Sequence, residues 1–338
     1  GNGLKPGDLT ELKRLFEHAT TFGSLIQVPE RLATKLPMLA QLSEATGQDL
    51  FVSEALKRLG RLVRQAELLA AQYDAVVANP PYMGAKYLNS TIKTFLQNNF
   101  RDYNKDLFAA FMCRNLSLTK LSGCNAYVVP YVWMFLGSFD VLRSHILDNY
   151  SIGSLVKPSY TSFFESAIVS LVTFVIEKRS CDLRGTFFDL GYLGSAESQP
   201  IKLKVGIGEP TCNYKYTAVS SDFKKIPSSP VAFWVSGRVR DVFFTSDCLD
   251  NVSAIKQGLA TCNNNLFLRH WYEPSQSLVN FGAENHDQAD ASRAKWFPYN
   301  KGGEYRKWYG NNLWVVNWKN RGFDIHQYSG LPMNYSGA

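Results

Sequence analysis

The sequence predicts an α/β protein in three parts: an N-terminal helical segment, an incomplete sheet of parallel pattern, and a C-terminal mixed α+β domain. Three observations carry that expectation. The first 72 residues are rich in Leu and Ala at helical spacing. Residues 73 to 180 alternate strand-like and helix-like runs. After Ser180 the chain turns to short β-like runs separated by Gly, Pro, Ser and Asn, with Trp and Tyr densely placed.

In residues 1–72, Leu56, Leu59, Val63, Ala66 and Leu69 recur at helical intervals, with Lys and Arg between them. This reads as a long amphipathic helix in which Gly60 is a weak point. Its basic face suits solvent better than it suits phosphate. In residues 73–180, "YDAVVANPPY" reads as a short buried strand ending in a breaker. "DLFAAFMCRNLSLTK" is helical, "NAYVVPYVWMF" a strand running into a loop, "SFDVLRSHILDNY" a helix and "AIVSLVTFVIEKR" a strand. That alternation predicts a parallel sheet whose ligands bind at the carboxyl ends of its strands. Residues 181–228 are expected to form a linker with accessory strands, and 229–338 the start of a further domain.

The bulk properties exclude more than they assign. The 338 residues are 45% hydrophobic and 19% charged, which is ordinary for a folded chain. The excess of 36 Lys and Arg over 29 Asp and Glu suits a polyanionic partner without requiring one. Cys113, Cys124, Cys181, Cys212, Cys248 and Cys262 lack zinc or redox spacing and read as reduced thiols. His18, His145, His270, His286 and His326 are scattered, so no metal site is expected. No apolar run has membrane-spanning length and no leader opens the sequence, so no membrane partner and a cytoplasmic location are expected.

Asn79-Pro80-Pro81-Tyr82 is the stretch that carries chemistry. The exocyclic amine of adenine is a poor nucleophile because its lone pair is delocalised into the ring. Attack on a methyl donor requires the nitrogen to pyramidalise and gain positive charge. Two acceptors aimed at its N–H groups favour that change. Asn79 offers a side-chain oxygen and Pro80 a backbone carbonyl. The prolines hold the loop rigid, and Tyr82 offers a flat face to a base that has left its duplex. A proline-stopped strand with a buried tyrosine is the plainer alternative.

The motif resembles the catalytic signature of adenine-N6 amino-methyltransferases. "YVVPYVWMFLGSFDVLRSHIL" at 127–147 resembles the strand-loop-helix that follows the catalytic loop in that group. "SFFESAIVSLVTFVIEK" at 162–178 resembles the later segment bearing a second aromatic for the flipped base. On that match the residue is Phe164, with Phe163 as the alternative. "KQGLATCNNNLFLRHWYE" at 256–273 and "WFPYNKGGEYRKWYGNN" at 296–312 resemble the target-recognition region of large restriction-type methyltransferases, especially those of the BREX phage-defence system. One departure is Thr261-Cys262-Asn263-Asn264, where that group often has Thr-Gly-x-Asn. The resemblance implies a partial Rossmann-like methyltransferase sheet, S-adenosylmethionine as cofactor, double-stranded DNA as partner and other phage-defence proteins as possible company. Arg269, Lys301, Arg306 and Lys307 are the expected DNA-binding residues; the last three also stand out locally, among Gly302, Gly303 and a cluster of Trp and Tyr.

A glycine-rich turn after a first strand, followed by an acidic residue for the cofactor ribose, is absent ahead of Asn79. Gly23 stands alone, and Gly206 and Gly208 lie far downstream. The cofactor-binding residues are therefore unknown. The chain reads as the target-base half of a longer enzyme, inactive by itself, with 1–72 as an insertion between two halves of a sheet whose edge is left exposed. Two other functions remain open: methylation of RNA or of a protein glutamine amide, and a catalytically silent DNA-binding or assembly module.

Overall fold

The computed structural model describes residues 3–45, 49–159, 170–178, 183–253 and 259–329. The chain divides into two compact units, Gly1–Ser246 and Asp247–Ala338. Phe163 and Phe164 lie outside the described residues.

The N-terminal zone is helical, as its periodicity predicts. Its longest helix, Leu50–Ala70, is capped by the Asp49 carboxylate, which accepts from Phe51 N. Val63 and Ala66 on its apolar face pack with Leu12, Leu32 and Leu39 of the preceding helices into a small separate core. Gly60 does not break the helix. A Cβ there would lie 3.2 Å from Ser43 Oγ, so glycine lets the Leu36–Ser43 helix approach closely.

Among the described residues the first unit has six strands: β1 (Tyr73–Ala78), β2 (Thr119–Pro130), β3 (Ser151–Lys157), β4 (Leu171–Glu177), β5 (Gly185–Asp189) and β6 (Lys215–Ala218). They lie in the order β1-β2-β4-β3-β5-β6. β1 and β2 are parallel, as are β3 and β5, but β4 is antiparallel to both β2 and β3, and β6 to β5. The sheet is thus mixed, not parallel. β3 and β4 pair side by side in antiparallel register, Leu155 opposite Phe174, and an antiparallel pair needs no crossover helix.

A second correction concerns β1. It is not a buried strand. β2 is its only partner among the described residues, and Asp74, Ala75 and Val77 are exposed, Val77 to 80%. One face of the sheet is covered: Tyr127, Val129, Leu155, Phe174 and Phe187 pack under the helices Leu107–Ser117 and Asp140–Asn149. On the other face Ala126, Val128, Val156, Thr173 and Val175 are only half-buried.

Two buried arginines hold the pieces together. Arg114, in the helix behind β1 and β2, donates to the carbonyls of Ser24 (3.0 Å), Ile26 (2.9 Å) and Leu69 (2.7 Å), and so ties the helical zone to the sheet. Arg143 donates to the carbonyls of Trp133 (2.9 Å), Leu136 (2.7 Å) and Ser228 (2.8 Å). Val231 and Phe233 are fully buried in the sheet's own core. Residues 229–246 therefore pack within the first compact unit, which runs to Ser246.

The second unit carries a three-stranded antiparallel sheet of β7 (Leu268–His270), β8 (Trp296–Tyr299) and β9 (Trp314–Asn317), in the order β7-β9-β8. Among the described residues no helix is long and apolar enough to cross a membrane, and no three His, Cys, Asp or Glu side chains are grouped to hold a metal.

Candidate active site

Asn79-Pro80-Pro81-Tyr82 follows directly on the last residue of β1, at the rim where β1, β2, β3 and β5 all end. Asn79 is exposed, Pro80 buried and Tyr82 half-buried. An open cavity of about 310 Å³ lies beside Asn79, floored by Ala126, Val128, Val156 and Thr173. The loop thus has room beside its polar end and packing behind its aromatic end.

Tyr82 has a contact that the sequence did not suggest. Its ring packs against the main core, and its hydroxyl hydrogen-bonds the Asn79 side-chain oxygen and the Val128 carbonyl (3.0 Å). The single hydroxyl hydrogen is shared between two acceptors. One lone pair of Asn79 Oδ1 is thereby engaged and the amide is held at a defined angle, with the second lone pair left for another donor. Burial pushes the Tyr82 pKa up, so the group stays a neutral hydroxyl.

Asp106 is the residue that sequence reasoning missed. Its carboxylate accepts from Met83 N at 3.0 Å and also caps the Leu107–Ser117 helix through Phe108 N. Leu107 N donates to Met83 O, and Ala85 N to Lys105 O, both at 3.0 Å. The residues just past the motif are therefore zipped onto a rigid helix start. Burial raises the Asp106 pKa, although the N–H groups of Phe108, Met83 and Leu107 pull it back down. Its only sequence signal was an Asp ahead of a helical run, which marks a cap but not what else the cap holds.

The candidate DNA-facing cations all belong to the second unit. Lys301, Arg306 and Lys307 sit on the connection between β8 and β9, and Arg269 on β7. Arg306 and Lys307 are exposed. Lys301 lies over the Trp314 ring at 4.7 Å, and Lys307 over the Trp308 ring at 5.4 Å. Tyr305, Trp308 and Tyr309 are each at least 85% exposed, so they do not form a β core. Arg269 differs: it donates to the carbonyls of Asn265 and Leu268 and lies over Trp296 at 5.5 Å. Arg269 is therefore engaged within its own fold.

The Thr261–Asn264 segment is a helix entry. Asn263 accepts from Leu266 N at 3.2 Å, and Thr261 Oγ1 donates to Asn264 Oδ1 at 2.6 Å. Cys262 has φ +59°, in the left-handed region that favours glycine. The cysteine thus occupies a glycine-type conformation where the related group often has glycine.

Residues 18–164 match the family model described as Eco57I restriction-modification methylase. Nearly the whole chain is similar to two curated proteins. It is 32% identical over 331 residues to "Adenine-specific methyltransferase PglX" of Lacticaseibacillus casei (strain Zhang), covering 95% of this chain and 27% of that protein. It is 36% identical over 341 residues to "Adenine-specific methyltransferase BrxX" of Escherichia coli O9:H4 (strain HS), covering 97% and 27%. "Type II restriction enzyme and methyltransferase RM.Eco57I" of Escherichia coli is 20% identical over 306 residues, covering 85% of this chain and 30% of that protein. The chain spans less than a third of the length of each of these relatives.

Proposed function

We propose that this chain is the target-base half of a site-specific adenine-N6 DNA methyltransferase, working with S-adenosylmethionine in a phage-defence or restriction-modification system. The observation that carries this reading is the Asn79–Tyr82 loop: its acceptor is held by a tyrosine and stands exposed at the strand-end rim. The similarity to adenine-specific methyltransferases over nearly the whole chain supports it.

In this reading an adenine leaves the duplex and comes to the strand-end rim beside Asn79. Asn79 Oδ1 and the Pro80 carbonyl accept the two N–H groups of its amine, which favours the pyramidal, charge-gaining nitrogen over the planar one. Tyr82 stacks on the base and holds Asn79, and Phe164 is the second stacking residue carried over from the resemblance. Lys301, Arg306 and Lys307 meet phosphate on the duplex. Arg269, held by the Asn265 and Leu268 carbonyls over the Trp296 ring, takes part less directly than those three cations.

S-adenosylmethionine supplies the methyl group, but the described residues do not fit it. Only helices precede β1 among them. Gly206 and Gly208 fall within the helix Gln199–Gly208, and the space above Gly206 is filled by Tyr214 and Phe188. Neither glycine lies on a turn between a strand and a helix. The exposed β1 strand and the half-bare sheet face are the features that a further layer would cover.

The test is Asn79→Ala in the complete enzyme. Methyl transfer to adenine is expected to fall at least a hundredfold, while DNA affinity stays within about twofold, because affinity comes mainly from the cations that meet phosphate. A wild-type methylation rate in that variant removes Asn79 from the chemistry.

A further inference from the structure

A second concavity lies on the rim that carries Asn79. It measures about 440 Å³ and is lined by Lys157, Asp189, Tyr192, Asn213, Tyr216 and Trp234. Lys157 ends β3 and Asp189 ends β5, and the two residues are register partners. Their side chains form an ion pair at 2.9 Å and are 16% and 14% exposed. The Lys157 ammonium lies over the Tyr192 ring at 5.7 Å and the Trp234 ring at 5.6 Å. Tyr192 is 89% exposed, so it is not there to fill the core.

Three features mark this as a built site for a flat ligand. Gly191 sits directly over the ion pair: a Cβ there would lie 3.1 Å from Asp189 Oδ1 and 3.7 Å from Lys157 Nζ. Glycine keeps that approach clear. Asp189 is braced at both oxygens, by Lys157 at Oδ2 and by Gly191 N at Oδ1 (3.0 Å), and each oxygen retains acceptor capacity. The Trp234 ring is also the end of a row of aromatics along the rim: Tyr131 meets Phe135 at 5.5 Å, and Phe135 meets Trp234 at 5.7 Å. Tyr131 directly follows β2, the strand that neighbours β1.

The pocket also lies within nucleotide reach of Asn79. Asn79 follows Ala78, which is in register with Tyr127, Phe174 and Leu155 across β2, β4 and β3. Three interstrand steps place Lys157 about 14 Å from Asn79 along the rim.

We infer that this pocket holds a second unpaired nucleobase of the DNA substrate, one to three nucleotides from the target adenine. The base stacks on Tyr192 and Trp234. Asp189 accepts from its amine or imide N–H, and Lys157 donates to a ring carbonyl or to the adjoining phosphate. Aromatic faces with a cation are the usual platform for unpaired nucleotides. The inference rests on the proposed DNA substrate and adds to it that more than one base leaves the stack.

The complete enzyme is tested with duplexes in which 5-iodouracil replaces single bases on either strand around the target adenine. Irradiation is expected to crosslink one such position, within three nucleotides of the target, to Tyr192 or Trp234. Tyr192→Ala is expected to raise KM for DNA methylation about tenfold; its ring is exposed, so the fold is kept. Gly191→Val, which fills the approach without removing an aromatic ring, is expected to raise KM in the same direction. Active methylation with crosslinks only elsewhere, or with KM within twofold in both variants, overturns the pocket and leaves the proposed function standing. A wild-type enzyme that neither binds nor methylates DNA overturns both.

Discussion

At the scale of single residues, Asn79 and Tyr82 act as a pair. The amide's acceptor direction depends on a hydroxyl that is itself anchored to the Val128 carbonyl of β2. Tyr82→Phe keeps the flat ring and loses that anchor. We expect kcat for methyl transfer in the complete enzyme to drop about tenfold, with KM for DNA changed less than twofold. That drop corresponds to a hydrogen bond worth about 1.4 kcal/mol in the transition state, within the range for such bonds. An unchanged kcat in a folded Tyr82→Phe variant shows that stacking alone is the tyrosine's role. Asp106→Ala acts one step further out. It frees Met83 N and uncaps the next helix together, so stability is expected to fall by about 1–2 kcal/mol, read as a shifted urea midpoint. A midpoint equal to wild type removes Asp106 from the loop's support.

At the scale of elements, the β8–β9 connection and the N-terminal helices make opposite use of charge. The connection presents exposed cations and aromatics with few internal partners. Replacing Lys301, Arg306 and Lys307 with Ala together is expected to weaken DNA binding and to lower the salt slope by up to about three units, roughly one for each cation withdrawn from a phosphate. An unchanged slope takes this loop off the DNA. The helical zone instead buries one carboxylate, Asp8. The Asp8 carboxylate accepts from Lys35 Nζ at 2.7 Å and from Lys5 N at 2.8 Å. Those bonds hold its pKa below the ordinary aspartate value of 3.8. Its contribution to stability is therefore complete above 3.8 and is lost as the pH falls through the lower, folded value. Far-UV circular dichroism in an acid titration is expected to show loss of helix in that window, and Asp8→Asn is expected to flatten this part of the curve. A titration identical to wild type refutes the assignment.

At the scale of the whole molecule, the rim of one mixed sheet carries both the Asn79 loop and the Lys157 pocket, and buried arginines bind the flanking layers to it. Arg114 reaches three carbonyls of the helical zone, so that zone is fastened to the sheet rather than tethered beside it. What the molecule does not offer, among its described residues, is a glycine turn after a strand ahead of Asn79. We expect calorimetry on this 338-residue chain to detect no S-adenosylmethionine binding. Micromolar affinity overturns that expectation and demands a cofactor site of another kind.

The amino-acid sequence by itself determined the parts whose signal is local. The spacing of Leu59, Val63 and Ala66 specified the long helix, because helical periodicity needs no knowledge of what covers the face. The Asn-Pro-Pro-Tyr run marked the loop at a strand's end, because proline removes the donors and the φ freedom that a strand needs. The tertiary structure decided whatever depends on a neighbour distant in sequence. The direction of β4 was set by its pairing with β2 and β3, and the exposure of β1 by its place at an edge. The attachment of residues 229–246 came from Val231 and Phe233 entering a core made earlier in the chain. The bond from Tyr82 to Asn79, the brace at Asp106 and the meeting of Lys157 with Asp189, Tyr192 and Trp234 have the same origin. Each joins strand ends or loops that only the folded sheet brings within hydrogen-bond or ring-stacking distance.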